Sequence, residues 1–140
     1  MSKETAEELF EQGLERYKSG EDAATLIPIF KDICDRSPKI ASSWICLSWL
    51  YLVNNQPTLA LKAAQKSVKL NPEDPQARIN LAIAMLDTSQ PGVREHIQLA
   101  TAMLMVMTEL KTEIVENFED GLRRRPNWSS LERVKKWILE

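Results

Sequence analysis

Few residues in the chain have the type and spacing that catalysis or metal binding requires. His96 is the only histidine, and the two cysteines, Cys34 and Cys46, form no Cys-x-x-Cys pair. A structural zinc site needs four closely spaced ligands, and a covalent catalyst needs a nucleophile beside a base. The sequence also contains no glycine-rich phosphate loop and no His-Glu-x-x-His motif. It therefore predicts a protein that is not an enzyme, with no catalytic residue, no metal and no cofactor.

The composition indicates an ordinary folded protein of one domain, residues 1–140. Hydrophobic residues make up 44% of the chain and charged residues 27%, as in soluble globular domains. Eighteen basic and twenty acidic side chains leave a net charge of −2, which does not favour nucleic acid as a partner. The N-terminal sequence has no apolar core typical of a secretory signal, and no apolar stretch is long enough for a membrane span. We expect a soluble, cytoplasmic protein.

Helical periodicity dominates the sequence. Apolar residues recur at i, i+3 and i+4, whereas β-branched residues nowhere alternate cleanly with polar ones, as they would in a half-buried strand. Turn-forming residues interrupt the helical pattern at 19–22, 37–38, 54–57, 71–72 and 89–92. The pattern predicts an all-α fold of helices about a dozen residues long, joined by short breaks.

The helices belong to a sequence repeat. A shift of 34 residues places Phe10 on Trp44, Tyr17 on Tyr51 and Pro38 on Pro72. In the middle unit, residues 41–74, Trp44, Leu47 and Tyr51 match the signature of the tetratricopeptide repeat, with Ser48 in the place of its glycine. The sequence thus resembles the tetratricopeptide repeat family. The aromatic positions of that family are packing positions, so Trp44 and Tyr51 are expected to be buried.

The resemblance implies a right-handed array of three tetratricopeptide-like helix pairs. The expected repeats are residues 7–40, 41–74 and 75–108. No proline or glycine occurs between Gly92 and Gly121, so the second helix of the third pair is expected to be long, with an extension over 109–125. Because Lys111 interrupts its apolar stripe, a break at 108–112 is the competing interpretation. A capping helix over 128–139 is expected to close the array.

The family resemblance implies a function in protein–protein recognition, as an adaptor or assembly factor. Partners of such arrays bind the concave face, as peptides or amphipathic helices. The expected groove residues are Ile45, Trp49, Leu52, Val53, Ile79, Asn80, Ile83 and Leu86. The expected acidic rim consists of Glu8, Glu11 and Glu15. The apolar surface of this groove fits either an external partner or the chain's own long helix, and the sequence leaves both open.

Some tetratricopeptide co-chaperones hold the C-terminal carboxylate of a heat-shock chaperone with Lys and Asn side chains. The matching positions in this sequence are Glu11, Glu15, Cys46, Gln76 and Asn80. Only the last has the required type, and the two glutamates would repel a carboxylate. This family use is therefore not expected.

Basic residues concentrate at the C-terminal end of the sequence. They are Arg123, Arg124, Arg125, Arg133, Lys135 and Lys136. One interpretation is an RNA- or ribosome-associated protein that uses this basic tail; the other is that the arginines complement a helix C-terminus or pair within the chain. A further hypothesis is that the amphipathic segment 128–139 covers the groove, in the same chain or in a second copy as a homodimer.

Overall fold

The computed structural model describes residues 4–140, which form eight α-helices, one single 3-10 turn and no strand. The helices are α1 (Ala6–Lys18), α2 (Ala23–Arg36), α3 (Ala41–Val53), α4 (Pro57–Leu70), α5 (Pro75–Asp87), α6 (Val93–Val106), α7 (Lys111–Arg124) and α8 (Ser129–Leu139). The 3-10 turn is Thr108–Leu110. This confirms the all-α class predicted from the periodicity. Among these helices, none has both the length and the apolarity required to cross a membrane.

The helix ends coincide with the breaks seen in the sequence. Pro57 and Pro75 occupy the first turns of α4 and α5. Backbone N–H groups in the first turn have no partner within the helix, so proline, which lacks this group, costs no hydrogen bond there. The carboxylate of Asp74 caps α5 by accepting a 3.1 Å hydrogen bond from the Ala77 amide. Asn55 follows α3 with a φ of 56°, a left-handed conformation that asparagine tolerates better than most residues. Local chemistry therefore fixes where these helices begin and end.

The first six helices form three pairs, α1 with α2, α3 with α4 and α5 with α6. The second helix of a pair also packs on the first helix of the next pair, α2 on α3 and α4 on α5. A polar link joins α3 to α5, because the buried Asn80 side chain donates to Ser48 Oγ at 3.1 Å and to the Ile45 carbonyl at 3.2 Å. Tyr51 is buried as expected. Trp44 is only half-buried, because its indole N–H points outward to the Pro38 carbonyl, 2.9 Å away.

The expected long second helix of the third pair is not continuous. Helix α6 ends at Val106, Met107 leaves the helical conformation at φ −99° and ψ 62°, and α7 begins at Lys111. The competing interpretation, a break near 108–112, is confirmed. A continuous helix would carry Ile114 and Phe118 beyond the array into solvent, whereas both are buried in the structure. Burial of this apolar surface outweighs the local preference for an unbroken helix.

The last helix closes the end of the array. Helix α8 packs against α5 and α6, and its side chains Leu131 and Val134 are completely buried. Like α5, which contacts both helices of the pair before it, α8 contacts both helices of the third pair. Helix α8 thus covers the end of the third pair, which would otherwise be exposed to water.

Candidate functional site

Helix α7 crosses the face formed by the first helices of the three pairs, α1, α3 and α5. Its contacts with them are Asp120 with Tyr17, Gly121 with Trp49, and Asn117 with Gln76. The Asn117 amide donates to Gln76 Oε1 at 2.9 Å, and the Trp49 indole is so close that a Cβ on Gly121 would lie 2.9 Å from it. One helix of the same chain thus touches all three helices of the concave face.

Arg124 fastens the end of α7 to the end of α1. Its guanidinium donates to the backbone carbonyls of Tyr17 at 2.7 Å and Glu21 at 2.8 Å, and to the Asp120 carboxylate at 3.2 Å. The same group lies 3.7 Å from the centre of the Tyr17 ring, a cation–π distance. Carbonyls at the end of a helix carry partial negative charge, so the cation stabilises α1 as well as the contact between the two helices.

Arg125 fastens the turn between α7 and α8 to the array. It donates to the Leu52 carbonyl at 3.0 Å and to the Asp87 carboxylate at 2.9 Å, and lies 4.4 Å from the centre of the Trp128 ring. The Trp128 indole N–H donates to the same carboxylate at 3.2 Å. Since the Asp87 side chain is only 7% exposed, this ion pair is largely shielded from water. Arg125 therefore links α3, α5 and the start of α8.

The hydroxyl of Tyr17 connects three helices. It donates to Asp120 on α7 and accepts a 2.8 Å hydrogen bond from the Trp49 indole on α3. Burial, and then the hydrogen bond to Asp120, raise the pKa of Tyr17 well above its ordinary value. The phenol consequently keeps its proton and remains a donor to the carboxylate at every pH at which the protein is handled.

A cavity of about 560 Å³ remains between α7 and the face beneath it. Its apolar wall contains Phe10, Leu14, Ile45, Leu110 and Ile114. Carboxylates of Asp74, Glu113 and Glu116 line it as well, and Lys18 and Arg123 lie toward the other end, near the ends of α1 and α7. The cavity is therefore apolar along its wall and charged at its edges.

The structure places most of the predicted groove inside the fold. Six of its eight residues, Trp49, Leu52, Val53, Ile79, Asn80 and Ile83, are buried, and Ile45 and Leu86 are half-buried. Only Ile45, Trp49 and Asn80 line the cavity. Much of the apolar surface predicted for an open groove is thus covered by the chain itself, and the space left for a partner is the smaller cavity under α7.

The acidic residues at the cavity are not those predicted from the sequence. Glu8, Glu11 and Glu15 are exposed on α1 and are not part of the cavity lining. The lining carboxylates, Asp74 and Glu113 among them, come from the start of α5 and from α7. Glu113 was not among the predicted site residues, because the course of α7 across the concave face could not be predicted from the sequence.

The basic tail divides into two parts. Arg124 and Arg125 make the internal contacts described above, in agreement with the interpretation of pairing within the chain. Arg123 is 70% exposed on its side chain, and Arg133 lies 5.0 Å from the centre of the Trp137 ring. Lys135 and Lys136 lie on α8, half-buried and exposed respectively. Of the segment 128–139, which was expected to cover the groove, Trp128 packs on the predicted groove residue Trp49, with ring centres 5.9 Å apart, and α8 packs on α5 and α6. Helix α7, which was not expected there, crosses the groove as well.

The two thiols lie in unreactive surroundings. Burial raises the pKa of Cys34 to about 12, and it does the same for Cys46, so neither is a thiolate at neutral pH. Across residues 4–140, no group of three or more His, Cys, Asp or Glu side chains is arranged to hold a metal ion.

Comparison with known proteins identifies the fold. No protein-family model and no curated protein sequence matches the chain. Among solved structures, the Yersinia enterocolitica type III secretion chaperone SycD, in complex with a peptide of the translocator YopD, superposes with a TM-score of 0.71 at 18% identity, covering 96% of this chain and 95% of that one. PcrH from Pseudomonas aeruginosa gives 0.67 at 16% identity, covering 99% and 92%.

A eukaryotic protein superposes as well. The TPR2B domain of yeast Sti1, in its complex with pHsp70, gives a TM-score of 0.67 at 17% identity, covering 86% of this chain and 98% of that one. These structures are tetratricopeptide-type helical repeat proteins. The chain therefore has the tetratricopeptide-like fold that its 34-residue repeat predicted.

Proposed function

We propose that the protein is a protein-interaction module, acting as an adaptor or assembly factor, which binds a segment of a partner protein on the concave face of α1, α3 and α5, where a cavity lies beneath α7. The observation that carries the proposal is the cavity itself, at about 560 Å³ with an apolar wall. Ligand sites commonly have volumes of roughly 300–1,000 Å³. A space of this size accepts several side chains of a peptide.

The lining indicates which segment fits. Ile45 and Leu14 offer apolar surface, whose burial against a partner contributes about 25 cal/mol per Å². The carboxylate of Asp74 lies at the edge of the cavity where α5 begins. It favours a partner segment with a basic side chain at that end, next to two or three apolar ones. It disfavours a terminal carboxylate there, in keeping with the expectation from the sequence.

The structural relatives support the same class of function. SycD was solved with a peptide of the translocator YopD, and the TPR2B domain of Sti1 in a complex with pHsp70. Both complexes were observed for the relatives and not for this chain. They support the proposal because both relatives have the same helical fold and both were solved in complex with a partner.

The alternative, RNA or ribosome binding through the basic tail, has less support. Arg124 and Arg125 already have acceptors within the chain. On the exposed side of α8, Glu132 lies beside the basic Arg133 and Lys136 and reduces the positive potential that would attract a phosphate backbone. We therefore favour a protein partner.

Selection of peptides from a random display library on the full chain tests the proposal. We expect the selected peptides to combine apolar and basic residues, and to lose at least tenfold in affinity for Ile45→Asp, because that change puts a charge into the apolar wall. Ile40→Asp is the matched control, since Ile40 is 51% exposed and lies outside the cavity. Ile45 is preferable to Trp49, whose burial against Gly121 would make a charged substitution unfold the contact with α7.

The proposal fails if no peptide is selected, or if the selected peptides bind Ile45→Asp as tightly as they bind the unaltered chain. Circular dichroism of each variant shows whether the helices are retained, so that a loss of binding is not mistaken for a loss of fold.

A further inference from the structure

Helix α7 is joined to the array by irregular segments at both ends. Before it, Met107 is non-helical and only a single 3-10 turn, Thr108–Leu110, intervenes. After it, Asn127 has a φ of 62°. Helix α8 has its own packing surface on α5 and α6, and Arg125 secures its start to Leu52 and Asp87. Helix α8 also contacts α7, since Leu131 lies beside Gly121, but the attachments to α3, α5 and α6 remain to hold α8 in place when α7 leaves the concave face.

The fit of α7 in the groove is incomplete. It leaves about 560 Å³ beneath it, and voids in a packed interface forfeit van der Waals contacts. On the side of the cavity, α7 presents the polar side chains Glu113 and Asn117. Glu113 is exposed at the edge of the cavity, and an apolar side chain at its position would extend the apolar wall. The groove could therefore be filled more completely by another helix than it is by α7.

The face that α7 applies to the array has the pattern of a groove-binding helix. Ile114, Phe118 and Gly121 are buried and lie four and three residues apart, and Arg124 follows three residues later. Apolar anchors at i, i+4 and i+7 are how amphipathic helices are bound in protein grooves. In addition, Gly121 admits the Trp49 indole, which a Cβ would approach to 2.9 Å.

We propose that α7 is an internal competitor for the groove, and that the external partner is an amphipathic helix of the same pattern which displaces it. The inference rests on the proposed function and specifies its partner. That partner carries two large apolar residues four apart, a small residue three positions later and an arginine three beyond that. It also carries an apolar residue where α7 has Glu113, and so fills the cavity.

A competitor within the chain lowers the apparent affinity of the partner in proportion to the fraction of molecules with an open groove. Substitutions on α7 itself weaken the competitor but leave α1, α3 and α5 unchanged. The side chain of Arg124 contacts α1, and so does that of Asp120. Either side chain can be removed from the protein by substitution, while a separate peptide with the sequence of α7 retains both.

The experiment uses the full chain and a fluorescent synthetic peptide with the sequence of residues 111–125. Fluorescence anisotropy measures its dissociation constant for the unaltered protein, for Arg124→Ala and for Asp120→Ala. We expect binding to each variant to be at least about tenfold tighter than to the unaltered chain, because the groove is open more of the time. Glu119→Ala is the matched control, and we expect no change there, since Glu119 is exposed on the same helix and lies outside the cavity lining.

Two altered peptides test the pattern. A peptide with Phe118→Asp is expected to lose binding, and one with Glu113→Leu is expected to bind more tightly than the natural sequence because it fills the cavity. The inference is overturned if the peptide binds none of the proteins, or if it binds Arg124→Ala and Asp120→Ala no more tightly than the unaltered chain.

The two experiments distinguish a failure of this inference from a failure of the proposed function. If library peptides require Ile45 but the α7 peptide does not gain affinity for the variants, the groove binds partners and the competitor role is wrong. If no library peptide requires Ile45, the proposed function itself is wrong.

Discussion

The guanidinium of Arg124 lies 3.7 Å from the centre of the Tyr17 ring and donates a 2.7 Å hydrogen bond to the carbonyl of the same residue. These two residues are 107 positions apart in the sequence. Their contact joins the first helix of the array to a helix that follows the last repeat. It makes the concave face a covered surface rather than an open one, so α7 is central to both stability and binding.

Arg124→Ala is expected to lower the free energy of unfolding by about 2 kcal/mol, because hydrogen bonds to charged groups contribute roughly 1.5–3 kcal/mol. Urea denaturation followed by circular dichroism measures the loss. Arg123→Ala is the control, with an expected loss below about 0.5 kcal/mol, since an exposed ion pair contributes little. Equal losses for the two variants would contradict the assignment of Arg124 as the contact between α1 and α7.

Gly121→Ala is expected to destabilise the protein by up to about 2 kcal/mol in total, because overpacking usually costs about 1–3 kcal/mol. The new Cβ would lie 2.7 Å from Leu131 Cδ1 and 2.9 Å from the Trp49 indole. This outweighs the gain of about 1 kcal/mol that alanine normally brings to a helix. Glu119→Ala, at an exposed position of the same helix, is the control and should be nearly neutral. A thermal midpoint that rises for Gly121→Ala would show that α7 is not packed as described.

The imidazole of His96 is expected to titrate below its ordinary pKa of 6.5, first because it is partly buried and second because Arg78 places a positive charge beside it. The Arg78 Nη1 and the His96 Nδ1 are 2.9 Å apart. Proton NMR measures this pKa directly, because the chain has one histidine. Arg78→Gln should raise it. A pKa at or above 6.5 in the unaltered protein would contradict the contact.

The same shift gives a pH dependence of stability. With the pKa lower in the folded state, the unfolded state binds the proton more readily. The stabilisation is therefore complete above pH 6.5 and is lost as the pH falls below that value. In urea denaturation at a series of pH values, His96→Gln should reduce the decline of the midpoint between neutral and mildly acidic pH.

The repeat array could be predicted from the sequence because its signals are local. Helical periodicity, Pro57 and Pro75 at helix starts, and the 34-residue repeat all depend on residues close together in the chain. The burial of Tyr51 followed from its place in the repeat. Trp44 was wrongly expected to be buried, since the signature gives a position but not the direction of a side chain.

The course of α7 could not be predicted, although Lys111 gave a local sign of the break that precedes it. Its position is set by contacts with residues more than a hundred positions away, such as Tyr17. One missed residue did carry a signal. Asp87 lies at the end of α5, where the helix dipole disfavours an acid. An unfavourable charge of this kind indicates a cationic partner elsewhere, and the structure supplies Arg125.

The central claim, that α7 lies across the concave face against α1, is tested most directly by a double-mutant cycle between Tyr17 and Asp120. Urea denaturation of Tyr17→Phe, Asp120→Ala and the double variant gives their coupling energy. We predict a coupling of about 1 kcal/mol or more, as expected for a charge-assisted hydrogen bond, and additivity for the control pair Tyr17→Phe and Glu119→Ala. A cycle between Tyr17 and Asp120 that is additive within about 0.3 kcal/mol would contradict the claim.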